Sequence, residues 1–511
     1  MATADLMEKP PAHPGERSFG WLLTYQAALD PDRPAITFEG ETMTRGQLDK
    51  AANRMARALE ALGVQEGDFV ALVAPNSIAY HVFAFAIWKL GATPAPMPPK
   101  SPDLELRAMV DLAAPTLVIG LAPERVPGYR TIPADFQPDP SLSDAPPPDK
   151  ITRYWKASTS GGSTGRPKII VDAKPALTDP DVRFPILMIE REDVILHPAP
   201  LYHNAPFTQI HWTLCWGGHV IGMAKFGALQ WLQLVERHKV RWAYLVPTMM
   251  SRIWALPEEV RNSFDLSSLR VAMHMAAPCP AWLKEAWIGW LGPERIWEVY
   301  GGTEAIGGSI INGVEWLEHR GSVGKINIPV KIADTAGETL PPGEIGEIFF
   351  KNPGGVGSTY VYRGAEARRS GEWESYGDMG YLDADNYLYL ADRRTDMILS
   401  GGANIYPAEI EGALEAYPTI AAAVAVGLPD PDLGARIHVV MELRAGADQP
   451  TGKELELFLS DRIARSKLPY SYEFIDDALK DDAGKVRRSA IRDDRAARAA
   501  GGETFTPLRG A

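Results

Sequence analysis

Helical and extended patterns of apolar residues alternate along most of the chain. Thr44 and Gln47 have the spacing of an N-terminal capping box. After them, apolar side chains recur every three or four positions, at Leu48, Ala52, Met55, Leu59 and Leu62. This spacing predicts an amphipathic helix, and Gly63 is typical of a helix end.

Short continuous runs of apolar residues predict buried strands. They lie at residues 69–74, 194–197, 220–223, 243–246 and 271–275. Helical stretches such as residues 77–90 separate most of these runs, and this alternation is typical of parallel sheets. The predicted fold class is therefore α/β, with helices layered on mainly parallel sheets. Two proline-rich stretches, residues 92–102 and 138–147, are predicted to be surface loops.

The pattern changes near residue 390. Beyond it, two helices are predicted at residues 407–416 and 452–467, and three strands at residues 421–427, 436–443 and 470–475. These elements indicate a small α+β domain of about 115 residues. The sequence after Arg492 is charged and glycine-rich, and we expect this tail to fray.

Charge and cysteine content narrow the function classes. The 511 residues include 52 Lys and Arg against 65 Asp and Glu, so the net charge is −13. An acidic chain is not a general nucleic-acid coat or a polybasic membrane binder. The two cysteines, Cys215 and Cys279, exclude a disulfide framework and a multi-cysteine zinc site. With no signal peptide and no apolar run of ~20 residues, the expected location is the cytoplasm.

The densest chemical signal is the segment Ser158-Thr159-Ser160-Gly161-Gly162-Ser163-Thr164-Gly165-Arg166-Pro167-Lys168. Its glycines let backbone N–H groups approach phosphate oxygens, while the hydroxyls and Lys168 add donors. The Gly-Lys pair of a Walker A loop is missing, and the run Ile169-Ile170-Val171 predicts a following strand. We interpret the segment as a flap between two strands over a triphosphate; an ordinary Gly/Ser turn is the alternative.

The same segment also contains a Gly-x-Ser-x-Gly pattern centred on Ser163. In a serine esterase Ser163 would be the nucleophile, and a helix would follow it at once. Pro167 and the β-branched residues after it favour a strand, so the esterase is a remote alternative.

This segment resembles the phosphate loop of the adenylate-forming superfamily, which contains acyl-CoA synthetases, peptide-synthetase adenylation domains and firefly luciferases. Six further motifs match in that family's order and cover most of the chain: Pro200-Leu201-Tyr202-His203, Ala276-Ala277-Pro278, Tyr300-Gly301-Gly302-Thr303-Glu304, Tyr376-Gly377-Asp378, Asp392-Arg393-Arg394-Thr395-Asp396 and Gly484-Lys485-Val486-Arg487-Arg488. The resemblance implies a large N-terminal domain over residues 1–394 and a small mobile C-terminal domain over residues 395–511. Thr395 would be the hinge between them.

The resemblance implies a site for ATP and AMP. Its residues would be Ser160, Gly161, Gly162, Ser163, Thr164, Gly165, Lys168, Ala276, Ala277, Pro278, Tyr300, Gly301, Gly302, Thr303, Asp378 and Arg393. Asp378 and Arg393 would hold the ribose, and Tyr300 would lie against the adenine ring.

Four residues are implied to act on the reacting groups: Lys485, Glu304, Thr303 and His203. Lys485 would offset the repulsion between a carboxylate and the α-phosphate. Glu304 would bind Mg²⁺, which prefers oxygen ligands. Thr303 would donate to the α-phosphate, and His203 would gate the acyl pocket and the thiol tunnel without binding a metal.

The implied activity is ATP-dependent carboxylic acid–CoA ligation in two steps. The carboxylate and MgATP give an acyl-adenylate and pyrophosphate, and coenzyme A then displaces AMP to give a thioester. Between the steps the C-terminal domain would rotate, withdrawing Lys485 and bringing Ser400, Gly401 and Gly402 to the site. The two glycines would leave room for the pantetheine arm of coenzyme A. A homodimer is left open.

The predicted acyl pocket has mostly small or apolar walls. They are His203, Asn204, Phe207, Met250, Met275, Gly301, Gly302 and Ile306. Such walls suit a bulky hydrophobic acid more than acetate, but they do not rank steroid side-chain, aryl-alkanoic and medium-chain acids. A stand-alone adenylation enzyme that loads a carrier protein is an alternative, and a luciferase-like activity is a more remote one.

Three positions depart from the family pattern. Gly161 stands where a second hydroxyl residue is common, and Ile169 stands where glycine is usual. Thr395 stands where Asp or Lys is commoner. We expect the first two to affect loop mobility and the third to affect domain rotation.

Overall fold

The computed structural model describes residues 15–161, 167–181, 187–393, 396–400, 403–431, 433–481 and 484–508. Its α-helices are α1 (Phe19–Leu29), α2 (Arg45–Ala61), α3 (Ile78–Lys89), α4 (Asp103–Ala113), α5 (Asn204–Cys215), α6 (Ala228–His238), α7 (Pro247–Trp254), α8 (Glu258–Arg261), α9 (Ala281–Leu291), α10 (Gly313–Glu318), α11 (Pro407–Glu415), α12 (Gly452–Ser460) and α13 (Arg488–Ala500). Short 3₁₀ helices lie at Pro123–Arg125, Pro293–Arg295 and Arg465–Lys467.

The strands are β1 (Arg17–Ser18), β2 (Pro34–Phe38), β3 (Glu41–Thr44), β4 (Phe69–Leu72), β5 (Thr93–Pro96), β6 (Leu117–Ile119), β7 (Thr131–Ile132), β8 (Ala157–Gly161), β9 (Pro167–Asp172), β10 (Leu177–Thr178), β11 (Val194–His197), β12 (His219–Gly222), β13 (Trp242–Leu245), β14 (Val271–His274), β15 (Ile296–Gly301), β16 (Gly308–Asn312), β17 (Ser322–Lys325), β18 (Val330–Ala333), β19 (Gly346–Phe350), β20 (Tyr360–Arg363), β21 (Arg368–Ser370), β22 (Trp373–Ser375), β23 (Asp378–Leu382), β24 (Tyr387–Arg393), β25 (Ile398–Ser400), β26 (Ala403–Ile405), β27 (Ile420–Asp430), β28 (Gly434–Leu443), β29 (Ser471–Ile475) and β30 (Thr506–Pro507).

Two parallel sheets organise the N-terminal part. The larger has the order β16-β15-β14-β13-β11-β12-β2-β3, with only its two edge strands antiparallel to their neighbours. The smaller, β5-β4-β6-β7, is parallel throughout. Helices connect successive strands, so the predicted α/β class is confirmed.

Three further sheets are mainly antiparallel. One has the order β17-β24-β23-β19-β22-β21 with β18 on β19, another the order β20-β9-β8, and the third the order β27-β28-β29-β30. The first two carry candidate site residues, as described below.

Local sequence rules explain why α2 begins where it does. The Gln47 backbone N–H donates to Thr44 Oγ1 at 3.3 Å, and the Thr44 N–H donates to Gln47 Oε1 at 2.8 Å. Both bonds of the predicted capping box are therefore present. Gly63, just beyond the helix end, has φ +95°, a conformation that suits glycine.

The prediction of a loop over residues 92–102 was wrong at its start. Thr93–Pro96 forms β5, which pairs in parallel with β4. Because β5 is at the edge of its sheet, Pro94 and Pro96 can lie in a strand without removing a needed ladder donor.

The expectation that the tail frays after Arg492 was also wrong, because residues 488–500 form α13 and residues 506–507 form β30. Arg495 Nε lies 2.5 Å from Glu473 Oε1 on β29, and Arg498 also pairs with Glu473. β30 adds to the sheet beside β29. Ion pairs and sheet pairing thus hold a segment whose composition alone favours solvent.

Arg488, the first residue of α13, ties several elements together. It forms an ion pair with Glu411 of α11, donates to the Ala425 carbonyl of β27 at 2.7 Å, and lies 3.4 Å from Asp396. Its side chain therefore links α13 to α11, to the edge strand β27 and to the start of the small domain.

The hydrophobic clusters divide the described residues into two parts. The largest cluster runs from Phe19 to Trp316, whereas two others contain only residues from Ile398 onward. The predicted boundary between residues 394 and 395 stays a prediction, since both lie outside the described ranges. Among the described helices, none is both long and apolar enough to cross a membrane.

Buried histidines should make the N-terminal core sensitive to acid. His81 Nδ1 lies 3.3 Å from His211 Nε2, and His211 Nδ1 donates to the Phe207 carbonyl at 2.7 Å. Burial lowers the pKa of His211 to about 3 and that of His197 also to about 3. The unfolded chain then binds more protons than the folded one below about pH 6.5, so stability is lost as the pH falls through that value.

We predict a lower unfolding temperature at about pH 5.5 than at about pH 7.5. Each imidazole that stays neutral should contribute about 1.4 kcal/mol of destabilisation per pH unit below its unfolded pKa. His211→Gln removes one such group and should reduce the difference between the two temperatures. An unfolding temperature that does not change over this range would contradict the prediction.

Candidate active site

The predicted phosphate segment lies in a β-hairpin. β8 and β9 pair antiparallel, with Ser160 opposite Lys168 and Gly161 opposite Pro167. The turn residues Gly162, Ser163, Thr164 and Gly165 lie outside the described residues. A strand follows the segment, not the helix that an esterase elbow at Ser163 needs. Ile169 is fully buried, so it packs in the core where the family usually has glycine.

The buried carboxylate of Glu304 connects this hairpin to two other elements. Lys168 Nζ lies 3.2 Å from Glu304 Oε1 and 2.9 Å from the Tyr362 hydroxyl. Tyr362, on β20, donates its hydroxyl proton to the same carboxylate oxygen. Burial, and after it the Glu304 charge, raise the pKa of Tyr362, so the hydroxyl stays protonated.

This arrangement fits the predicted role of Glu304. The Glu304 carboxylate is buried and already forms an ion pair with Lys168. Its oxygens are hard ligands of the kind that Mg²⁺ takes in proteins. Sequence reasoning did not find Tyr362. The only signal for it is a pair of tyrosines two positions apart on a short strand, which places both on one face.

A tight turn after β15 presents the nucleotide motif. Tyr376 accepts hydrogen bonds from the Ile306 and Gly307 N–H groups at 3.1 and 3.3 Å, and donates to the Gly307 carbonyl at 2.7 Å. A Cβ on Gly302 would lie 2.3 Å from Tyr376 Cε1, so this position requires glycine. Thr303 is half-buried in the same turn, and Ala305 takes φ +52°.

The predicted ribose residues are brought together by two neighbouring strands. Asp378 begins β23 and Arg393 ends β24, and the two are direct partners in the antiparallel register. The Tyr300 hydroxyl donates to Asp378 Oδ2 at 2.8 Å. Tyr300 therefore orients the aspartate, in addition to its predicted place at the adenine. Ala276, Ala277 and Pro278 follow the end of β14, with Ala276 at φ +74° and both Ala276 and Pro278 exposed.

The turn that carries Lys485 lies against the N-terminal domain. A Cβ on Gly484 would be 3.3 Å from Thr248 Oγ1 and 3.5 Å from Val246 Cγ2, at the start of α7. Gly484 has φ +74°, and the Lys485 N–H donates to Asp481 Oδ1 at 2.8 Å. The positive φ and this close approach together favour glycine immediately before Lys485.

The charge of Lys485 acts electrostatically on His203. Burial, and after it Lys485, lower the pKa of His203 to about 3, so the ring is neutral at physiological pH. His203 is the residue before α5, its ring centroid is 4.4 Å from that of Tyr202, and its buried Nε2 has no hydrogen-bond partner among the described residues. The Lys485 charge therefore acts on the residue that precedes α5 and belongs to the predicted acyl site.

The predicted pocket wall is divided between two faces of α5. Phe207 is fully buried and its ring contacts Trp88 and His211, on the side turned to α3. Gln209, which the sequence prediction omits, instead donates to Met275 Sδ at 3.6 Å. Gln209 lies two residues after Phe207 and so on the opposite face of the helix, and its spacing from the predicted wall residues gives no signal that could have found it.

Asn204, Met250 and Ile306 complete the described wall. Asn204 is half-buried at the start of α5, Met250 is buried on α7, and Ile306 is buried after the glycine turn. Gly301 ends β15 and is exposed, and a Cβ there would come no closer than 3.5 Å to the Gly307 carbonyl. A side chain therefore has space at Gly301 of the predicted wall but not at Gly302.

Two family models match the chain. One, described as AMP-binding enzyme, matches residues 23–361, and the other, its C-terminal domain, matches residues 409–485. The chain belongs to the AMP-binding enzyme family. This confirms the predicted adenylate-forming superfamily and the predicted class, an AMP-forming acid–thiol ligase.

Relatives of this AMP-binding enzyme align over nearly their whole lengths. A feruloyl-CoA synthase from Amycolatopsis sp. is 33% identical over 91% of this chain and 97% of its own. The long-chain-fatty-acid–CoA ligase FadD13 of Mycobacterium tuberculosis is 27% identical over 93% and 98%. The structure of o-succinylbenzoate CoA synthetase from Bacillus subtilis with its acyl-adenylate has a TM-score of 0.78 at 25% identity, covering 94% of this chain and 98% of that one.

The predicted coenzyme A segment is only partly described in this AMP-binding enzyme. Ser400 ends β25, which pairs with β26 as a short hairpin. Gly401 and Gly402, at its turn, lie outside the described residues, as does the predicted hinge Thr395. Their roles stay predictions.

Tyr362→Phe should weaken the use of Mg²⁺. The substitution removes the hydroxyl that donates to Glu304 and keeps the ring beside Lys168. A hydrogen bond to a charged group contributes about 1.5–3 kcal/mol, so we expect the Mg²⁺ concentration for half-maximal activity to rise about tenfold or more. Activity is measured across a Mg²⁺ titration at saturating ATP.

Tyr360→Phe is the matched control, because Tyr360 lies on the same strand and its ring contacts that of Tyr362. An unchanged Mg²⁺ dependence in Tyr362→Phe, or an equal change in both variants, would exclude a role of the Tyr362–Glu304 hydrogen bond in Mg²⁺ binding.

Proposed function

We propose that this enzyme joins a bulky hydrophobic acid, in the first place an aromatic one, to coenzyme A at the expense of ATP. The observation that carries the proposal is the turn of Gly484 and Lys485 against α7, which puts the lysine charge close enough to lower the pKa of His203. A cation beside the acyl pocket is what activation of a carboxylate by ATP requires.

The relatives support the choice of acid. Feruloyl-CoA synthase and 2-succinylbenzoate–CoA ligase are named for aromatic acids, and FadD13 is named for long-chain fatty acids. The buried methionines Met250 and Met275 on the proposed wall have flexible side chains that adapt to bulky ligands.

In the first step, the chain's own residues hold two anions in contact. Lys485 neutralises charge between the substrate carboxylate and the α-phosphate, and Thr303 donates to a phosphate oxygen. Lys168 is released from Glu304 to the phosphates. Glu304 would hold Mg²⁺, which would neutralise phosphate charge there. Asp378 and Arg393 fix the ribose from adjacent strands.

In the second step, the small domain rotates about Thr395. Lys485 leaves, and the hairpin of Ser400, Gly401 and Gly402 approaches, which opens a passage for the thiol of coenzyme A. The thiol attacks the acyl carbonyl and AMP leaves. The arrangement described above, with Lys485 toward His203, is the one we assign to the first step.

The alternative thiol substrate is a carrier protein in place of coenzyme A. One relative, ScoC of Streptomyces coeruleorubidus, is named as a fatty acid–[acyl-carrier-protein] ligase at 29% identity over 94% of this chain. The test is AMP release from purified protein with a panel of aromatic, medium-chain and short acids, each with coenzyme A or with a phosphopantetheinylated carrier protein. Release that requires the carrier, or that is confined to acetate, would overturn the proposal.

Lys485→Ala should separate the two steps. Losing the cation should slow acyl-adenylate formation by about 10²–10³-fold or more, while thioester formation from a supplied acyl-adenylate should largely survive. The first step is followed by ATP–pyrophosphate exchange and the second by thioester appearance. Arg492→Ala, an exposed cation on α13, serves as the control. Equal loss in both steps would rule out the assigned role.

Gly301→Val should narrow the pocket. Because a Cβ there has space, we expect the largest acids to be lost while small acids are still used. Gly302→Ala should instead slow all acids alike, since its Cβ would collide with Tyr376. The ratio of kcat/KM for a large and a small acid is the measurement, and an unchanged ratio in Gly301→Val would place the pocket elsewhere.

A further inference from the structure

A buried polar pair lies on the inner face of α5. His197 Nε2 and Gln209 Oε1 are 2.9 Å apart, and each residue is only 1% exposed. The surroundings are otherwise apolar: the His197 ring stacks on Tyr244 at 4.4 Å, and Gln209 faces Met275. Polar groups are rarely buried in such a place without a partner for each atom.

Two atoms of this pair are not well satisfied. Burial lowers the pKa of His197, so its ring is neutral. Because Nε2 donates its proton to Gln209 Oε1, Nδ1 carries no proton and is an acceptor. That Nδ1 is buried and has no hydrogen-bond partner among the described residues. The Gln209 amide N–H meets only the Met275 sulfur, at 3.6 Å, and a thioether is a weak acceptor. His197 Nδ1 points away from Gln209, so of the two atoms the Gln209 amide is the one that faces Met275.

The pair adjoins the proposed wall of the acyl pocket. Met275 belongs to the proposed wall, and Gln209 is six positions after His203 on α5. At 1.5 Å per residue, this is about 9 Å along the helix axis from the end where Lys485 lies. That length suits an aryl ring joined to its carboxylate by a short chain.

We propose that Gln209, held by His197, recognises an oxygen at the far end of the acid, so that the substrate is a ring-hydroxylated aryl-alkanoic or aryl-alkenoic acid. The substrate oxygen accepts from Gln209 Nε2 in place of the Met275 sulfur. His197 holds the Gln209 amide in the orientation that presents its N–H group. This inference rests on the proposed function and deepens it.

The matched substrates are 3-(4-hydroxyphenyl)propanoate and 3-phenylpropanoate, which differ only in the hydroxyl. We expect the full-length enzyme to prefer the hydroxylated acid by about tenfold or more in kcat/KM for thioester formation with coenzyme A, because a site with unpaired buried polar atoms discriminates against an analogue that lacks the partner. Gln209→Leu should bring this preference close to one, with most of the loss in the KM for the hydroxylated acid.

Two further variants keep the test decisive. Gln209→Met, unbranched and similar in length, should give the same result if the leucine variant does not fold. Met275→Leu removes only the weak sulfur acceptor and should keep the preference for the hydroxyl. A preference that survives both Gln209 variants, or a parent enzyme that uses the two acids equally, would overturn the inference.

The outcomes separate this inference from the proposed function. If neither aryl acid forms a thioester while a medium-chain acid does, the polar subsite is wrong and ligation to coenzyme A stands. If no acid in the panel forms a thioester with coenzyme A, both fail.

Discussion

The carboxylate of Glu304 is buried, and a buried charge is stable only when cations or donors surround it. Lys168 from the β8–β9 hairpin and Tyr362 from β20 meet this requirement. The charge therefore fixes the turn after β15 against one three-stranded sheet, in which β20 and the hairpin are neighbours. The geometry of the proposed phosphate site depends on this contact, because it joins the turn that carries Glu304 to the hairpin that carries Lys168.

Sequence reasoning succeeded where a local rule is strong. The capping box of α2, the buried strands of the parallel sheet and the strand after the glycine-rich segment follow from spacing and side-chain shape. It failed where long-range contacts decide. β5 contains two prolines and is a strand only because it lies at a sheet edge, and α13 is held by Glu473 of a distant strand.

The candidate site shows the same division. Motifs pointed to the residues proposed to face the nucleotide, because that chemistry needs particular side chains in a particular order. Tyr362 and Gln209 were not found, since each is recognisable only from what it contacts, Glu304 in one case and His197 in the other. The residues that hold the reacting groups in place are less visible in a sequence than those that touch them.

The network around Arg488 bears on how the small domain moves. Arg488 is three residues after Lys485 and is fastened to α11, to β27 and to Asp396 beside the predicted hinge. Lys485 therefore lies near one end of a network of ion pairs and hydrogen bonds, and Asp396, beside the predicted hinge, lies at the other end. In the proposed alternation, a modest rotation at the hinge displaces Lys485 over a large distance. The position of its charge is therefore set by the orientation of the whole small domain and not by a side-chain rotamer.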